Sequence, residues 1–262
     1  MTPTIASIRN PRVKEIRRAL AKGTLTEDGC AVAETFHLLE EALRSDCKVP
    51  AVLAAESVRG AVEQHIRNLP GIRFAVLEDD VFAGLGSTES SQGVIALVRP
   101  PQAAFEDLVR GRALLVVLDG VQDPGNAGTI VRSAEAFGAT GVLFLKGSVS
   151  PYNAKTLRAS AGSLFRLPSV SGMDADLARA ALLQAGLDIY TAMPGAARQL
   201  QEVDFRRKCA IVVGSEGQGV SAPMRGIADD ITIPTSSVES LNAAVAASII
   251  LYEASRQRRT NE

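Results

Sequence analysis

Five polar side chains lie in or beside three turns that could hold a polar ligand. They are Asn126 and Arg132 at the first turn, Glu216 between two glycines in the second, and Ser240 and Asn242 in the third. Asparagine and glutamate can together donate to and accept from one ligand, and an arginine suits an anion such as phosphate. Ordinary alternatives exist: Asn126 as an Asx turn or helix cap, Glu216 as an anionic cap, and Arg132 in a surface salt bridge. The residue types alone leave both possibilities open.

The first two turns are glycine-rich, but they differ from those of the common nucleotide-binding folds. Residues 125–128 and 214–219 lack the GxGxxG spacing, and no GK[ST] follows either turn. The strand expected after the first helix ends in Lys146 rather than in the acid that binds a ribose hydroxyl in dinucleotide folds. A Rossmann site and a P-loop are therefore excluded. What remains is a set of turns in which a ligand can approach backbone amides closely.

The third turn connects a short β-type run at residues 231–234 to a long helical pattern from about Leu241 to Arg258. This helix carries apolar residues on several faces, which predicts that it is largely buried. A polar turn leading into a buried helix is a suitable place to bind a ligand. The alternative is a serine N-cap on an ordinary core helix.

Strands and helices alternate in the first part of the chain, which predicts an α/β layered domain over residues 1–99. The strand candidates are residues 30–33, 49–54, 72–77 and 93–98, and the helix candidates are residues 7–20, 35–43, 58–67 and 78–85. Residues 87–92 form a predicted polar turn. Pro100 and Pro101 stop regular structure, so we expect a linker over residues 100–112.

The second predicted domain covers residues 113–262. Its first strand candidate, residues 113–118, is a continuous apolar run of the kind found at the centre of a parallel sheet. Further strand candidates are residues 141–145, 188–192 and 209–213, and helix candidates are residues 129–137, 153–160 and 174–185. The pattern strand, glycine-rich turn, helix predicts a ligand-binding corner.

Composition excludes several classes of protein. Three cysteines and two histidines are too few and too scattered for a disulfide framework or a zinc site, so we expect a cytoplasmic protein without metal. The N-terminus lacks the apolar core of a signal peptide, and the apolar stretch at residues 243–252 is far shorter than the ~20 residues that span a bilayer. We therefore expect no membrane role.

The net charge of −1 argues against a protein that coats nucleic acid indiscriminately. Basic residues are nevertheless clustered at residues 9–22, 206–208 and 256–259. A single cluster is more often a solvated helix face than an RNA contact. Taken together, the three clusters leave RNA binding open.

The three turns and their flanking residues resemble the three ordered motifs of the SpoU (TrmH-type) RNA ribose 2'-O-methyltransferases of the SPOUT superfamily. The matching stretches are Asn126-Ala-Gly-Thr-Ile-Val-Arg132 with Ala134-Glu-Ala-Phe-Gly138, Val213-Gly-Ser-Glu-Gly-Gln-Gly219, and Ile233-Pro234 with Glu239-Ser-Leu-Asn242-Ala-Ala-Val-Ala. Arg158-Ala-Ser-Ala-Gly162 and Phe165-Arg-Leu-Pro168 also resemble the stretch between the first two motifs. The resemblance covers residues 113–258, and three motifs in order make it specific.

The N-terminal part resembles, more weakly, the ribosomal-protein-like substrate domain of the same family. The similar stretches are Asn10-Pro-Arg-Val-Lys14, Val32-Ala-Glu34 and Gln92-Gly-Val94. The chain departs from the family pattern at two places. Thr35 stands where the family usually has glycine, and the loop from Ile233 to Leu241 is one residue shorter than usual, with Thr235-Ser-Ser237 replacing a glycine-containing turn.

The resemblance implies a parallel sheet whose C-terminal segment is threaded into a deep trefoil knot, which general folding rules would not predict. It also implies a homodimer formed through the C-terminal domain and S-adenosylmethionine as cofactor, with Gly214, Ile233 and Leu241 lining the adenosine site. By position, Arg132 matches the catalytic arginine, supported by Asn126, Glu216, Ser240 and Asn242. The implied substrate is RNA, with ribosomal RNA favoured over transfer RNA.

The implied reaction is in-line attack of a ribose 2'-hydroxyl on the sulfonium methyl. The family view makes the arginine the base, yet a guanidinium is protonated at any ordinary pH. We therefore expect Arg132 to bind the neighbouring phosphate and stabilise the developing alkoxide, with Asn126 and Ser240 orienting it. The alternatives are an RNA-binding protein of the same fold without catalysis, and a small-molecule enzyme on an ordinary nucleotide-binding fold.

Overall fold

The computed structural model of the chain describes residues 3–69, 71–85 and 92–259. The chain forms two compact units. The first comprises Met1–Pro101 with Tyr152–Arg166, and the second comprises Gln102–Pro151 with Leu167–Glu262. Of the polar turn predicted at residues 87–92, only Gln92 lies within the described residues.

The first unit contains a mixed sheet in the order β1-β4-β3-β5-β2. Its strands are β1 (Thr4–Ile5), β2 (Ala31–Ala33), β3 (Lys48–Ala55), β4 (Arg73–Leu77) and β5 (Val94–Arg99). β4 is parallel to β1 and β3, whereas β5 is antiparallel to β3 and β2. The helices along this part of the chain are α1 (Pro11–Lys22), α2 (Phe36–Arg44), α3 (Arg59–Ile66) and α4 (Asp79–Ala83).

Helix α1 begins at Pro11, four residues after the start of the helix candidate at residues 7–20. The Asn10 side chain accepts a hydrogen bond from the Arg12 amide at 2.9 Å, and Pro11 occupies the first helical position, where a missing N–H costs nothing. Val13, Ile16 and Ala19 recur at helical spacing and are buried against the sheet side of this unit's core. The basic residues between them therefore face outward.

The second unit contains a sheet in the order β10-β12-β9-β11-β6-β7-β8, in which every pairing among the described strands is parallel. Its strands are β6 (Leu114–Asp119), β7 (Gly141–Leu145), β8 (Ser169–Met173), β9 (Asp188–Ala192), β10 (Arg198–Gln199), β11 (Cys209–Gly214) and β12 (Asp229–Thr232). Strand β6, in the interior of this sheet, is buried along its whole length. The predicted α/β architecture with a parallel C-terminal sheet is therefore confirmed.

The remaining helices are α5 (Phe105–Leu108), α6 (Pro124–Ala136), α7 (Ala154–Ala159), α8 (Ala175–Gln184), α9 (Ala222–Arg225) and α10 (Ala243–Arg259). Helix α10 packs against α6 and β11, with Ala247, Ile250 and Leu251 on its buried face. Val245 and Tyr252, on another face, are half-exposed. The prediction of a largely buried helix thus holds for one face of α10 and fails for the other.

Residues 102–112, predicted as most of a linker, are instead part of the second unit. They contain helix α5, whose Leu108 is fully buried in the core that also includes Leu115 and Leu143. The backbone carbonyl of Leu108 accepts a hydrogen bond from the Thr140 hydroxyl. The two prolines mark the unit boundary, but the chain after them is ordered because an apolar side chain anchors it.

Residues 152–166, predicted within the C-terminal domain, lie in the first unit. Two ion pairs hold them there: Arg158 meets the buried Glu34 at 2.8 Å, and Arg166 meets Glu41 at 2.7 Å. Burial raises the pKa of the Glu41 carboxyl, but the hydrogen bond and charge of Arg166, with Arg44, outweigh it and leave that pKa below its ordinary value. Such long-range pairing is not visible in the sequence.

The two C-terminal basic clusters are engaged mainly inside the second unit. Arg206 pairs with Asp204 at 2.7 Å, Arg207 with Asp188 at 3.4 Å, and Arg256 with Glu253 at 2.8 Å. Arg258 donates to backbone carbonyls. These contacts reduce the number of cations at residues 206–208 and 256–259 that can meet an RNA phosphate.

The Arg258 guanidinium ties the end of α10 to the rest of its unit. It donates to the carbonyl oxygens of Phe205 at 2.8 Å, Arg112 at 2.7 Å, Ala113 at 2.9 Å and Arg207 at 2.7 Å. Burial lowers the pKa of Arg258 and raises the pKa of the adjacent Cys209 thiol to about 11, so the thiol is protonated at neutral pH. The cation is thus held by peptide dipoles rather than by a carboxylate.

Replacing Arg258 with alanine is expected to lower the free energy of unfolding by about 2–4 kcal/mol, because its hydrogen bonds from a charged donor to four carbonyl oxygens are lost. Arg258→Lys is expected to cost less, since an ammonium keeps the charge but reaches fewer carbonyls. Urea unfolding monitored by circular dichroism measures both. Arg259→Ala is the matched control, since Arg259 is exposed. Equal stabilities of Arg258→Ala and Arg259→Ala would contradict the expectation.

Candidate functional site

The three turns singled out in the sequence follow β6, β11 and β12 at one edge of the parallel sheet. β6 and β11 are neighbours, with Asp119 opposite Gly214 in register. Because parallel strands end at the same edge, the loops that follow them come together there. This carboxyl edge is the usual place for a ligand in an open α/β sheet.

Helix α6 starts earlier than predicted and contains the glycine-rich stretch. Asp123 is its N-cap and accepts a hydrogen bond from the Asn126 amide at 2.7 Å, while Pro124 occupies the first turn. The prediction that residues 125–128 form a turn before a helix starting at Thr129 is wrong, because an aspartate cap followed by proline outweighs the low helical propensity of glycine. Asn126 therefore projects from the first turn of a helix.

Three predicted site residues form one hydrogen-bonded group. The Asn126 Nδ2 donates to Glu216 Oε1, and the Asn242 Nδ2 donates to Asn126 Oδ1 at 3.1 Å. Asn242 also caps α10, its Oδ1 accepting from the Ala244 amide at 2.9 Å. Residues far apart in sequence thus fix each other's orientation, and Asn242 rather than a serine is the helix cap.

Glu216 lies in a tight hairpin rather than at a helix start. Ser215 and Gly219 exchange backbone hydrogen bonds at 3.0 and 2.9 Å. A Cβ added at Gly214 would lie 2.3 Å from the Gly219 carbonyl carbon and 2.5 Å from the Val220 nitrogen. The strand end and the hairpin therefore pack backbone against backbone, which only glycine allows.

Asp119 is a site residue that sequence reasoning missed. Its carboxylate is buried and accepts a hydrogen bond from the Ser221 amide at 2.7 Å, which ties the end of β6 to the chain that leaves the hairpin. An aspartate that ends a continuous apolar run is the feature that could have identified it.

A cavity of about 520 Å³ lies between the hairpin, the start of α10 and the end of β9. Its walls include apolar side chains of Val212, Val220 and Ile250, together with Gly214 and Ser215. Ser240, Leu241, Asn242 and Glu216 also line it. The arrangement offers an apolar surface for a flat ring together with polar groups in the same lining.

A smaller cavity of about 100 Å³ shares Ser240 and Leu241 with the first and is also lined by Ile233 and Thr235, among other residues. The Thr235 hydroxyl donates to the Val238 carbonyl at 2.9 Å and so closes the turn that departs from the family pattern. Of the predicted cofactor residues, Gly214 lines the larger cavity, Ile233 the smaller one, and Leu241 both.

Arg132 lies well inside α6, and its side chain is exposed. Among residues 3–69, 71–85 and 92–259, its guanidinium has no hydrogen bond or ion pair. The structure therefore does not bring Arg132 into contact with Asn126, Glu216 or Asn242. Ser240 is likewise exposed and lines both cavities.

The described part of the chain contains no group of three or more histidine, cysteine, aspartate or glutamate residues placed to hold a metal ion. None of its helices combines the length and the apolar character needed to cross a membrane.

The fold and the site define an α/β domain with a candidate ligand site at the carboxyl edge of a parallel sheet. Residues 113–252 match the model of the SpoU rRNA Methylase family, and residues 10–96 match the MRM3-like substrate binding domain. The chain belongs to the SpoU rRNA methylase family.

Similar proteins cover nearly the whole chain. An uncharacterised tRNA/rRNA methyltransferase of Synechocystis is 33% identical over 97% of this chain and 94% of its own length. The Bacillus subtilis 23S rRNA (guanosine(2553)-2'-O)-methyltransferase RlmP is 34% identical over 95% of this chain and 97% of its own. The structure of the SpoU methyltransferase AviRb from Streptomyces viridochromogenes, in complex with AdoMet, matches with a TM-score of 0.82 and 28% identity, over 96% of this chain and 99% of AviRb.

Proposed function

We propose that this protein transfers a methyl group from S-adenosylmethionine to a ribose 2'-hydroxyl in ribosomal RNA. The observation that carries the proposal is the hydrogen-bonded group of Asn126, Glu216 and Asn242, two of which line the larger cavity (Glu216 and Asn242), in a member of the SpoU family. The names of the similar proteins favour ribosomal RNA, with transfer RNA as the second possible substrate.

The larger cavity fits S-adenosylmethionine in size and lining. Its volume of about 520 Å³ lies within the range of about 300–1,000 Å³ that is common for such ligands. Leu241 and Ile233 supply apolar surface for the adenine, and the half-buried backbone at Gly214 also lines the larger cavity. When bound, the cofactor supplies an electrophilic methyl group on a sulfonium.

The protein's own groups bind and orient the RNA in this proposal. Asn126 is held by Glu216 and Asn242, so its amide is fixed before any ligand arrives. Arg132 has an exposed guanidinium, which suits a phosphate that arrives from solution. We assign Arg132 to the phosphate next to the target ribose and to the developing alkoxide.

The first unit is the proposed RNA substrate-binding domain. Arg12 and Arg18 on α1 are engaged with acidic neighbours. Within the described residues Arg9, Lys14 and Lys22 are exposed and have no ion pair, so they remain available to RNA phosphates. Binding through such contacts would weaken as salt concentration rises.

We further infer a cytoplasmic homodimer formed through α6 and α10, with the C-terminal segment threaded through a trefoil knot. The exposed side chains of Val245 and Tyr252, with Phe137 packed edge-to-face on Tyr252, support the dimer, because such apolar groups are normally covered. A monomeric mass in sedimentation equilibrium would count against the dimer.

The path from β12 at one side of the sheet back to α10 on α6 is compatible with the knot.

Titration of the purified protein with S-adenosylmethionine by calorimetry, followed by methyl transfer to unmodified rRNA transcripts, tests the proposal. Saturable binding and 2'-O-methylation of one ribose are expected. Binding to RNA without cofactor binding would indicate a protein of the same fold that lacks catalysis. Mapping ribose methylation in rRNA of a deletion strain then identifies the nucleotide.

A further inference from the structure

A second cleft lies on the other side of the Ser215–Gly219 hairpin and has no assigned role. Its volume is about 490 Å³, close to the volume of about 520 Å³ of the larger cavity. We call that larger cavity the cofactor cavity, after its proposed occupant. Polar side chains dominate its lining: Gln122, Asp123, Lys146, Ser215, Glu216 and Gln218. The cofactor cavity is lined mainly by aliphatic side chains, so the two clefts suit ligands of different chemistry.

The two clefts share a wall. Gly214, Ser215, Glu216 and Ala243 line both of them. Glu216 on that wall is bonded to Asn126, which is bonded to Asn242. A transfer between two substrates requires adjacent sites that hold the reacting groups close together. The polar cleft is therefore placed to hold the second substrate.

Gly217 leaves the surface of the polar cleft open. Its φ lies outside the left-handed region, and a Cβ at this position would have no heavy atom within 4 Å. Neither backbone conformation nor packing therefore requires glycine here, in contrast to Gly214. Gly217 lines the polar cleft but not the cofactor cavity. The missing side chain leaves space on the cleft surface for a ligand.

We propose that this polar cleft receives the target nucleotide of the RNA, turned out of its stack, and that Gln122 and Gln218 read its base. Both glutamine side chains are exposed and have no hydrogen bond among the described residues, so each amide can donate to and accept from a base edge. Lys146 is paired with Asp174 at 3.3 Å on the surface and can exchange that partner for a phosphate. The inference rests on the proposed methyltransferase function.

Gly217→Ala and Gln122→Ala test the inference, with Gly226→Ala as the matched control. The nearest atom to a Cβ at Gly226 is the Ala222 carbonyl oxygen at 3.5 Å, an ordinary contact outside the cleft. The assay is methyl transfer from S-adenosylmethionine to an unmodified 23S rRNA transcript, with cofactor affinity measured separately by calorimetry. Both cleft variants are expected to raise KM for RNA and lower kcat/KM by about tenfold or more, as loss of a base contact or intrusion of a methyl group would.

Cofactor affinity and melting temperature are expected to stay at the wild-type values in both cleft variants. A parallel loss of cofactor affinity would assign the cleft to the cofactor and overturn the inference. Wild-type kcat/KM in both variants would also overturn it. Wild-type protein that neither binds the cofactor nor methylates RNA would instead refute the proposed function itself, so the two failures are distinguishable.

Discussion

Replacing Arg132 with alanine is expected to lower the rate of RNA methylation by about 10²–10³-fold, the usual cost of removing one donor that stabilises a developing oxyanion. The Arg132 side chain is exposed and makes no ion pair in the described part of the chain, so its loss should not affect folding. It is also absent from the cofactor cavity. Wild-type melting temperature and wild-type affinity for S-adenosylmethionine should therefore accompany the loss of rate.

Arg132→Lys separates two possible roles of the guanidinium. A lysine keeps the positive charge but cannot make the planar, two-pronged contact with a phosphate or alkoxide, so we expect at least about tenfold slower methylation. Single-turnover methylation of an rRNA transcript measures the chemical step. Arg179 is also an exposed arginine, but it lies on α8. Arg179→Ala is therefore the matched control and should retain the wild-type rate. Near-full methylation by Arg132→Lys would refute the bidentate role.

The strands of the second unit could be predicted where burial dominates the sequence. β6 and β11 are continuous apolar runs because both faces of a parallel sheet are covered, and such runs need no long-range information. The sequence does not predict β8 or β10, because neither is a continuous apolar run. β8 is only partly buried and contains serine and glycine, and β10 has two residues. Neighbouring strands, rather than their own residues, determine these edge strands.

Domain membership and helix starts required information that local patterns lack. Residues 152–166 follow a strand of the second unit in sequence, yet the pairing of Arg158 with the buried Glu34 holds them in the first. The start of α6 was locally readable from Asp123-Pro124, but the glycines after it favoured a turn. At this helix start an aspartate cap followed by proline outweighs the low helix propensity of the glycines.

The hydrogen bonds that connect Asn126 to Glu216 and Asn242 span 90 and 116 positions of sequence. Residue types indicate that these side chains could share one ligand, but they do not show that the side chains bond to one another. Asp119 has a similarly long-range partner in Ser221, and no motif drew attention to it. Contacts between turns depend on the strand order, which local periodicity does not determine.

Gly214→Ala is expected to disrupt the cofactor cavity and destabilise the second unit. The added Cβ would lie 2.3 Å from the Gly219 carbonyl carbon and 2.5 Å from its oxygen, and both are backbone atoms that no side-chain rotation can move away. The hairpin must therefore shift as a whole. Overpacking of this kind costs about 1–3 kcal/mol, which corresponds to a fall of about 2–12 °C in melting temperature for a domain of this size.

The shift of the hairpin should also weaken cofactor binding by tenfold or more, because Gly214, Ser215 and Glu216 form one wall of the cavity. Moving Glu216 further breaks its hydrogen bond to Asn126, so methylation should fall more than occupancy of the cofactor site predicts. Calorimetry with S-adenosylmethionine and methylation at saturating cofactor measure the two effects, and Gly226→Ala should leave both unchanged. If Gly214→Ala binds the cofactor with wild-type affinity, the cavity beside Gly214 cannot be the adenosine site. A variant that binds normally but methylates slowly would then limit the role of this wall to orienting Asn126.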